Sequence, residues 1–162
     1  MKAISPVIAT VIIVAVAIAI SIAVALWITG LTSSFTGVEK LEIVNAYAIW
    51  DDKDNSWKVV LLVKNTGTKT ATIDQIFINN KPGTISGTVS TGSDPNSPTV
   101  VNSDNIVLNT GKSVYLVFYL KSADAKDRHS YIVDDTFSSG QTVSIVIHTA
   151  SGGQYPATVT LP

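Results

Sequence analysis

The sequence predicts an α+β chain, with a long N-terminal hydrophobic helix followed by an antiparallel β-sandwich head. Two observations carry that prediction. The stretch from Ala3 to Phe35 contains no Asp, Glu, Lys, Arg or His, and from Val38 the chain changes to short β-rich runs separated by turn residues. A third observation bounds the head. The 162 residues include no cysteine, which excludes disulfides, Cys-ligated metals and thiol catalysis together. The head must therefore be held by its own apolar core, which roughly 125 residues can supply.

The apolar run exceeds the ~20 residues that span a bilayer as a helix. Val and Ile dominate it, but no ordinary strand is that long, so length decides for helix. Ser5 suits an N-cap, and Pro6 the first helical position, where its missing N–H costs nothing. From Val14 to Leu26 large and small residues alternate strictly, VAVAIAISIAVAL. Residues four apart share a helix face, so Ala15, Ala19 and Ala23 form one small-residue row. Ala17, Ser21 and Ala25 form a second, about 200° away. Such rows let helices approach closely, as a helix with several helical neighbours requires. The plainer reading is that Ala and Val are common in any apolar span. Gly30 and the Thr32-Ser33-Ser34 run are expected to loosen the helix end, and Gly37 to mark a boundary. The expected division is therefore residues 4–36 for the helix and 37–162 for the head.

In the head the expected strands are Leu41–Trp50, Trp57–Lys64, Thr70–Asn79, Gly83–Ser90, Val100–Leu108, Lys112–Leu120, Thr142–Thr149 and Tyr155–Leu161. Turn signals separate them, among them Asn65-Thr66-Gly67, Asn79–Gly83 and Asn109-Thr110-Gly111. Short strands at this spacing predict a sandwich of immunoglobulin-like type. Val59–Val63 and Val114–Leu120 are apolar at both parities, whereas a sheet with one solvated face should alternate. Either those faces meet something beyond the head's core, or the core is thick and lies under long loops.

Chemistry-bearing patterns are few. His129 and His148 sit in no metal or triad spacing, and His148 falls in an expected strand as a solvated or hydrogen-bonded residue. Asp51-Asp52-Lys53-Asp54-Asn55 clusters oxygen ligands but lacks the Gly and distal Glu of an EF-hand loop. It reads as a solvated hairpin tip. Asp124, Asp127, Asp134 and Asp135 are expected in a polar connection, with no order that pairs them as acid and base. No P-loop, dinucleotide fingerprint or nucleophile elbow is present. Net charge is -1, which gives no global basic field for nucleic acid. No Asn stands in an N-x-S/T sequon, although Ser/Thr-rich loops such as Ser90–Thr99 could carry O-linked sugars. Trp50 and Trp57 flank the Asp51–Ser56 tip. They are expected as a cross-strand pair, and if exposed they could serve adhesion. No catalytic residue, cofactor or metal is expected.

At the front, a secretory signal peptide would have an apolar region of about 7–15 residues and then a cleavage site. The segment here is about twice that length, and Leu26-Trp27-Ile28 directly follows the Ala23 and Ala25 that could imitate such a site. The opening KAISPVIATVI and the Val/Ala/Ile-rich helix after it resemble archaeal type IV pilins, adhesion-pilus subunits related to archaellins. Val63-Lys64-Asn65-Thr66-Gly67 with Ala71-Thr72-Ile73-Asp74 resembles a strand–turn–strand of archaeal pilin heads. Gly140-Gln141-Thr142-Val143 with Thr149-Ala150-Ser151-Gly152 resembles the closing hairpin.

The resemblance implies a class III signal peptide, cut before the hydrophobic stretch by a prepilin peptidase. Residues 1–3 would be the leader, Lys2-Ala3 the recognition pair and Ala3–Ile4 the scissile bond. Ile8 stands where bacterial relatives carry a glutamate, as in the archaeal branch. The implied protein is a non-enzymatic subunit of an extracellular type IV pilus filament, with a precursor in the cytoplasmic membrane. It would be handled by pilus assembly machinery and polymerise with copies of itself, the helices in the filament core. Lys2 agrees with a cytoplasmic N-terminus. An archaellin-type motility filament subunit, a membrane-anchored β-sandwich binding module and a secreted enzyme are the alternatives, the last least supported.

Overall fold

The computed structural model describes residues 6–35, 37–126 and 128–162. Lys2, Ala3, Ile4, Ser5 and Asp127 lie outside the described residues. The chain divides into two compact units, one ending at Gly37 and the other spanning Val38–Pro162. The first is α1, Pro6–Phe35, a helix of 30 residues. At about 1.5 Å per residue it is about 45 Å long. Gly30 and Thr32, expected to loosen its end, are helical. A helical Gly costs only about 1 kcal/mol, and the hydroxyls of Thr29 and Thr32 bond back to Ala25 O and Ile28 O, both at 2.8 Å.

The second unit contains β1 (Leu41–Asp51), β2 (Ser56–Asn65), β3 (Ala71–Ile78), β4 (Lys81–Gly83), β5 (Ser90–Gly92) and β6 (Thr99–Val100). β7 (Ile106–Leu108), β8 (Ser113–Ser122), β9 (Tyr131–Phe137), β10 (Thr142–Thr149) and β11 (Gln154–Thr160) follow. One sheet runs β1-β2-β8-β5-β6, with β9 also on β8; the other runs β11-β10-β3-β4, with β7 also on β3. The two sheets form a sandwich. From the first come Trp57, Val59, Leu61, Val63, Leu116, Phe118 and Leu120, packed in one core with Ile73, Ile76, Ile78, Val143, Ile145 and Ile147 from the second. The chain is thus an α+β protein with an N-terminal apolar helix and a β-sandwich head.

Three differences from the sequence expectation in the head have physical reasons. Gly83–Ser90 is not one strand. Residues 84–89 turn instead, with Gly87 at φ 76°, and Ile85 and Val89 are apolar because the turn buries them in the core. Val100–Leu108 divides into β6 and β7, which pair with β5 and β3 in different sheets, so the chain crosses the sandwich between them. Tyr131–Phe137, expected in a polar connection, is strand β9 and pairs parallel to β8. Its Ile132, Val133 and Phe137 are buried, whereas the aspartates that suggested a loop point away from the core. The other strand pairings among the described residues are antiparallel, as expected. The doubly apolar β2 and β8 are interior strands, and Val60 and Val117 on their outer face are also buried. Lys58, on that face, donates to Pro95 O at 2.9 Å and brings the 93–98 turn onto it.

The Asn65-Thr66-Gly67 turn ties the head together. Asn65 is fully buried. Its amide donates to Lys69 O and Leu108 O, both at 2.9 Å, and its side-chain oxygen accepts from Gly67 N at 2.9 Å. Its own backbone bonds Lys112 O and Gly111 N, so one residue joins the β2–β3 and β7–β8 turns and the end of β7. Gly67 passes so close to the start of the head that a Cβ would lie 2.4 Å from Val38 O. Replacing Asn65 by Ala strands buried partners, and the expected loss is about 2–4 kcal/mol in urea unfolding of the detergent-solubilised chain. A loss below about 0.5 kcal/mol would contradict this role.

Candidate functional site

Two regions bear on function: the surface of α1 and the end of the head that carries the β1–β2 turn. Along α1 the segment Pro6–Thr32, with a stretch of 18 residues at mean hydropathy 3.1, is long and apolar enough to cross a membrane. Its large side chains, from Val7 to Leu31, are exposed on every side. The hydroxyls among them are satisfied within the helix. Thr10 donates to Val7 O at 2.8 Å and Ser21 to Ala17 O at 2.7 Å. Such back-bonding removes the polar obstacle to covering the helix with an apolar environment. Ala15, Ala19 and Ala23, and Ala17, Ser21 and Ala25, lie on this helix as two rows by its geometry. The described residues of α1 place both rows at the surface and bring neither against a partner.

At the β1–β2 turn Asp52 and Lys53 are exposed, as expected of a solvated tip, but Asp54 beside them is not. Asp54 is fully buried. The segment after β8 folds over it: Tyr131 donates its hydroxyl to Asp54 Oδ2 at 2.6 Å, and Arg128 its backbone N–H to Oδ1 at 2.8 Å. Lys126 N donates to Asp54 O at 2.9 Å. His129 stacks on Tyr119 at 3.8 Å between ring centroids, with its Nε2 3.4 Å from Asp51 Oδ2. Burial opposes the charged form of Asp54, but the bonds from Tyr131 and Arg128 and the charge of His129 outweigh it and hold its pKa below the ordinary 3.8. Burial, with the negative charges of Asp51 and Asp54, pushes the Tyr119 phenol up. The hairpin tip is therefore a closed polar cap. The sequence hinted at it only through Tyr131-Ile132-Val133, an apolar run inside an otherwise polar stretch.

Trp50 and Trp57 are register partners at the base of this turn, as expected, with centroids 4.3 Å apart and planes inclined at 60°. Trp57 is buried and Trp50 is 38% exposed. On the outer face of the second sheet, His148 Nδ1 meets Asp74 Oδ1 at 2.8 Å, a hydrogen-bonded strand histidine. Among the described residues no group of three His, Cys, Asp or Glu is arranged to hold a metal ion. Asp124, Asp134 and Asp135 do not converge: Asp135 pairs with Lys81 at 2.8 Å, and the backbone carbonyl of Asp124 accepts from Asn55 Nδ2 at 3.3 Å.

No protein-family model matches the chain, and no curated protein does. Among solved structures it is similar to the archaellum periplasmic stator protein FlaG from Sulfolobus acidocaldarius. That likeness has 20% identity and a TM-score of 0.44, over 75% of this chain and 99% of that one. It is also similar to the archaeal flagellum of Methanospirillum hungatei strain JF1, at 17% identity and a TM-score of 0.40, over 96% of this chain and 88% of that one. At these identities and TM-scores neither likeness assigns a family or a role.

The Asp54 cap has a pH signature. A carboxylate with a lowered folded pKa stabilises the fold above its unfolded pKa, and that contribution is lost as pH falls through the folded value. Asp54→Asn is expected to cost about 1–3 kcal/mol at pH 7 and to flatten the loss of stability below about pH 4. Urea unfolding from pH 7 to pH 2 measures both, and parallel curves for the two proteins would refute the charged cap.

Proposed function

We propose that the chain is a structural, non-enzymatic subunit of an extracellular type IV pilus filament. It polymerises with copies of itself through α1, with the β-sandwich outward, and serves surface adhesion. The observation that carries this reading is an uncharged helix of 30 residues, apolar on every side, joined to a head with a complete core of its own. Such a helix must be covered by lipid or by protein. In the precursor the cytoplasmic membrane covers it, with the N-terminus cytoplasmic. A prepilin peptidase cuts between Ala3 and Ile4, and the assembly machinery moves the helix from lipid into a bundle of identical helices. The environment stays apolar throughout, so the transfer exposes little apolar surface to water. The rows Ala15–Ala19–Ala23 and Ala17–Ser21–Ala25 let neighbouring helices approach on two sides.

The first test shears cells, pellets the released material and determines the intact mass and N-terminal residue. The expected product is a polymeric fraction that begins at Ile4. The same chain found only in the membrane pellet, beginning at Met1 or Lys2, would overturn the filament and leave an anchored binding module. Loss of swimming with intact attachment in a deletion strain would assign the filament to motility, as an archaellin.

Ala19→Glu tests the helix contacts. A carboxylate there would be unpaired among apolar helices, at a cost of several kcal/mol. Filaments should disappear from sheared fractions while the head unfolds as in the parent chain. Normal yields of filaments from this variant would sink the packing role of that row.

A further inference from the structure

The tryptophan pair borders a cavity of about 490 Å³ at the capped end of the head, walled by Trp50, Trp57, Asp124, Phe137, Ser138 and Ser139. We infer that this cavity binds a neutral saccharide of one or two pyranose rings. The inference concerns the head and holds whether or not the chain polymerises.

Three features point to that ligand. Trp50, 38% exposed beside the cavity, offers an indole surface of the kind that packs on the C–H face of a sugar ring. Trp57, only 5% exposed, lines the cavity beside it and completes an aromatic wall. The exposed Asp124, Ser138 and Ser139 then supply a carboxylate and two hydroxyls at the rim, suited to further sugar hydroxyls. Aromatic walls with a few polar groups, in a volume between about 300 and 1,000 Å³, are the usual character of a small-molecule site. Asp124 is the charged side chain in the wall, so an acidic sugar would be repelled.

The wall is held in place before any ligand arrives. Ser122 donates its hydroxyl to Asn55 O, and Asn55 Nδ2 donates to Asp124 O at 3.3 Å. On the opposite side Ser139 donates to Pro162 O at 2.9 Å, and Ser138 N donates to Gln141 Oε1 at 3.1 Å. The first two bonds tie one rim to the hairpin that the Asp54 cap closes, and the other two hold the second rim to Gln141 and Pro162, so little ordering remains to oppose binding.

The test uses the full chain in a detergent without a sugar headgroup, with Trp27→Phe so that only Trp50 and Trp57 report. Glucose, galactose, N-acetylglucosamine and maltose are titrated against intrinsic fluorescence and saturation-transfer NMR, with glucuronate and cyclohexanol as controls. At least one neutral sugar should shift the emission and receive saturation at its ring C–H protons, and glucuronate should bind about tenfold more weakly. Trp50→Ala should abolish the response with the circular dichroism spectrum unchanged. Silence from every sugar, equal binding of cyclohexanol, or full affinity in Trp50→Ala would overturn the inference. None of these outcomes bears on filament assembly, which the sheared fraction tests separately.

Discussion

A helix of thirty residues with no charge and no polar face cannot remain in water. Every other feature of the chain is consistent with that constraint. Its few hydroxyls turn inward on the helix's own carbonyls, so nothing on α1 demands water. Such a surface is equally at home in lipid and among other apolar helices, because neither medium asks it for a hydrogen bond. The proposed exchange of one for the other therefore needs no refolding of the helix.

The head solves a different problem. It has no disulfide and no described metal cluster, and its core closes between two sheets. Two buried polar residues fix what the apolar core alone leaves free. Asn65 gathers the turns at the start of β3, at β7 and before β8, and Asp54 binds the segment that leads into β9. Polar groups in such positions give little net stability through each bond. Leaving one of them unpaired is costly, and that asymmetry selects a single arrangement of the loops. The consequence reaches the surface, because the loop that Asp54 anchors also holds one wall of the tryptophan cavity.

Much of this was legible in the residues. The length and lack of charge of Val7–Leu31 left only a helix, and the alternation of Val and Ile with Ala set its small-residue rows. Trp50 and Trp57 declared their pairing by their symmetric distance from the Asp51–Ser56 turn. Failures came where a local pattern admits two outcomes. Ile85 and Val89 look like strand residues because burial, not pairing, demands their side chains. Tyr131–Phe137 looks like a loop because Asp134 and Asp135 interrupt it, although β8 runs on past its pairing with β5 and leaves Tyr119–Ser122 to receive it.

The sequence by itself determined the two-part architecture, the apolar nature of the helix and the absence of thiol chemistry, since these follow from composition and from periodicity along the chain. Tertiary structure alone decided which of the three aspartates in Asp51-Asp52-Lys53-Asp54 is buried. It also decided that β9 runs parallel to β8 and that the tryptophan pair borders a cavity beside Asp124. Each of these depends on residues far apart in the chain, such as Asp54 and Tyr131, and their meeting is fixed by the closure of the sandwich rather than by local preference.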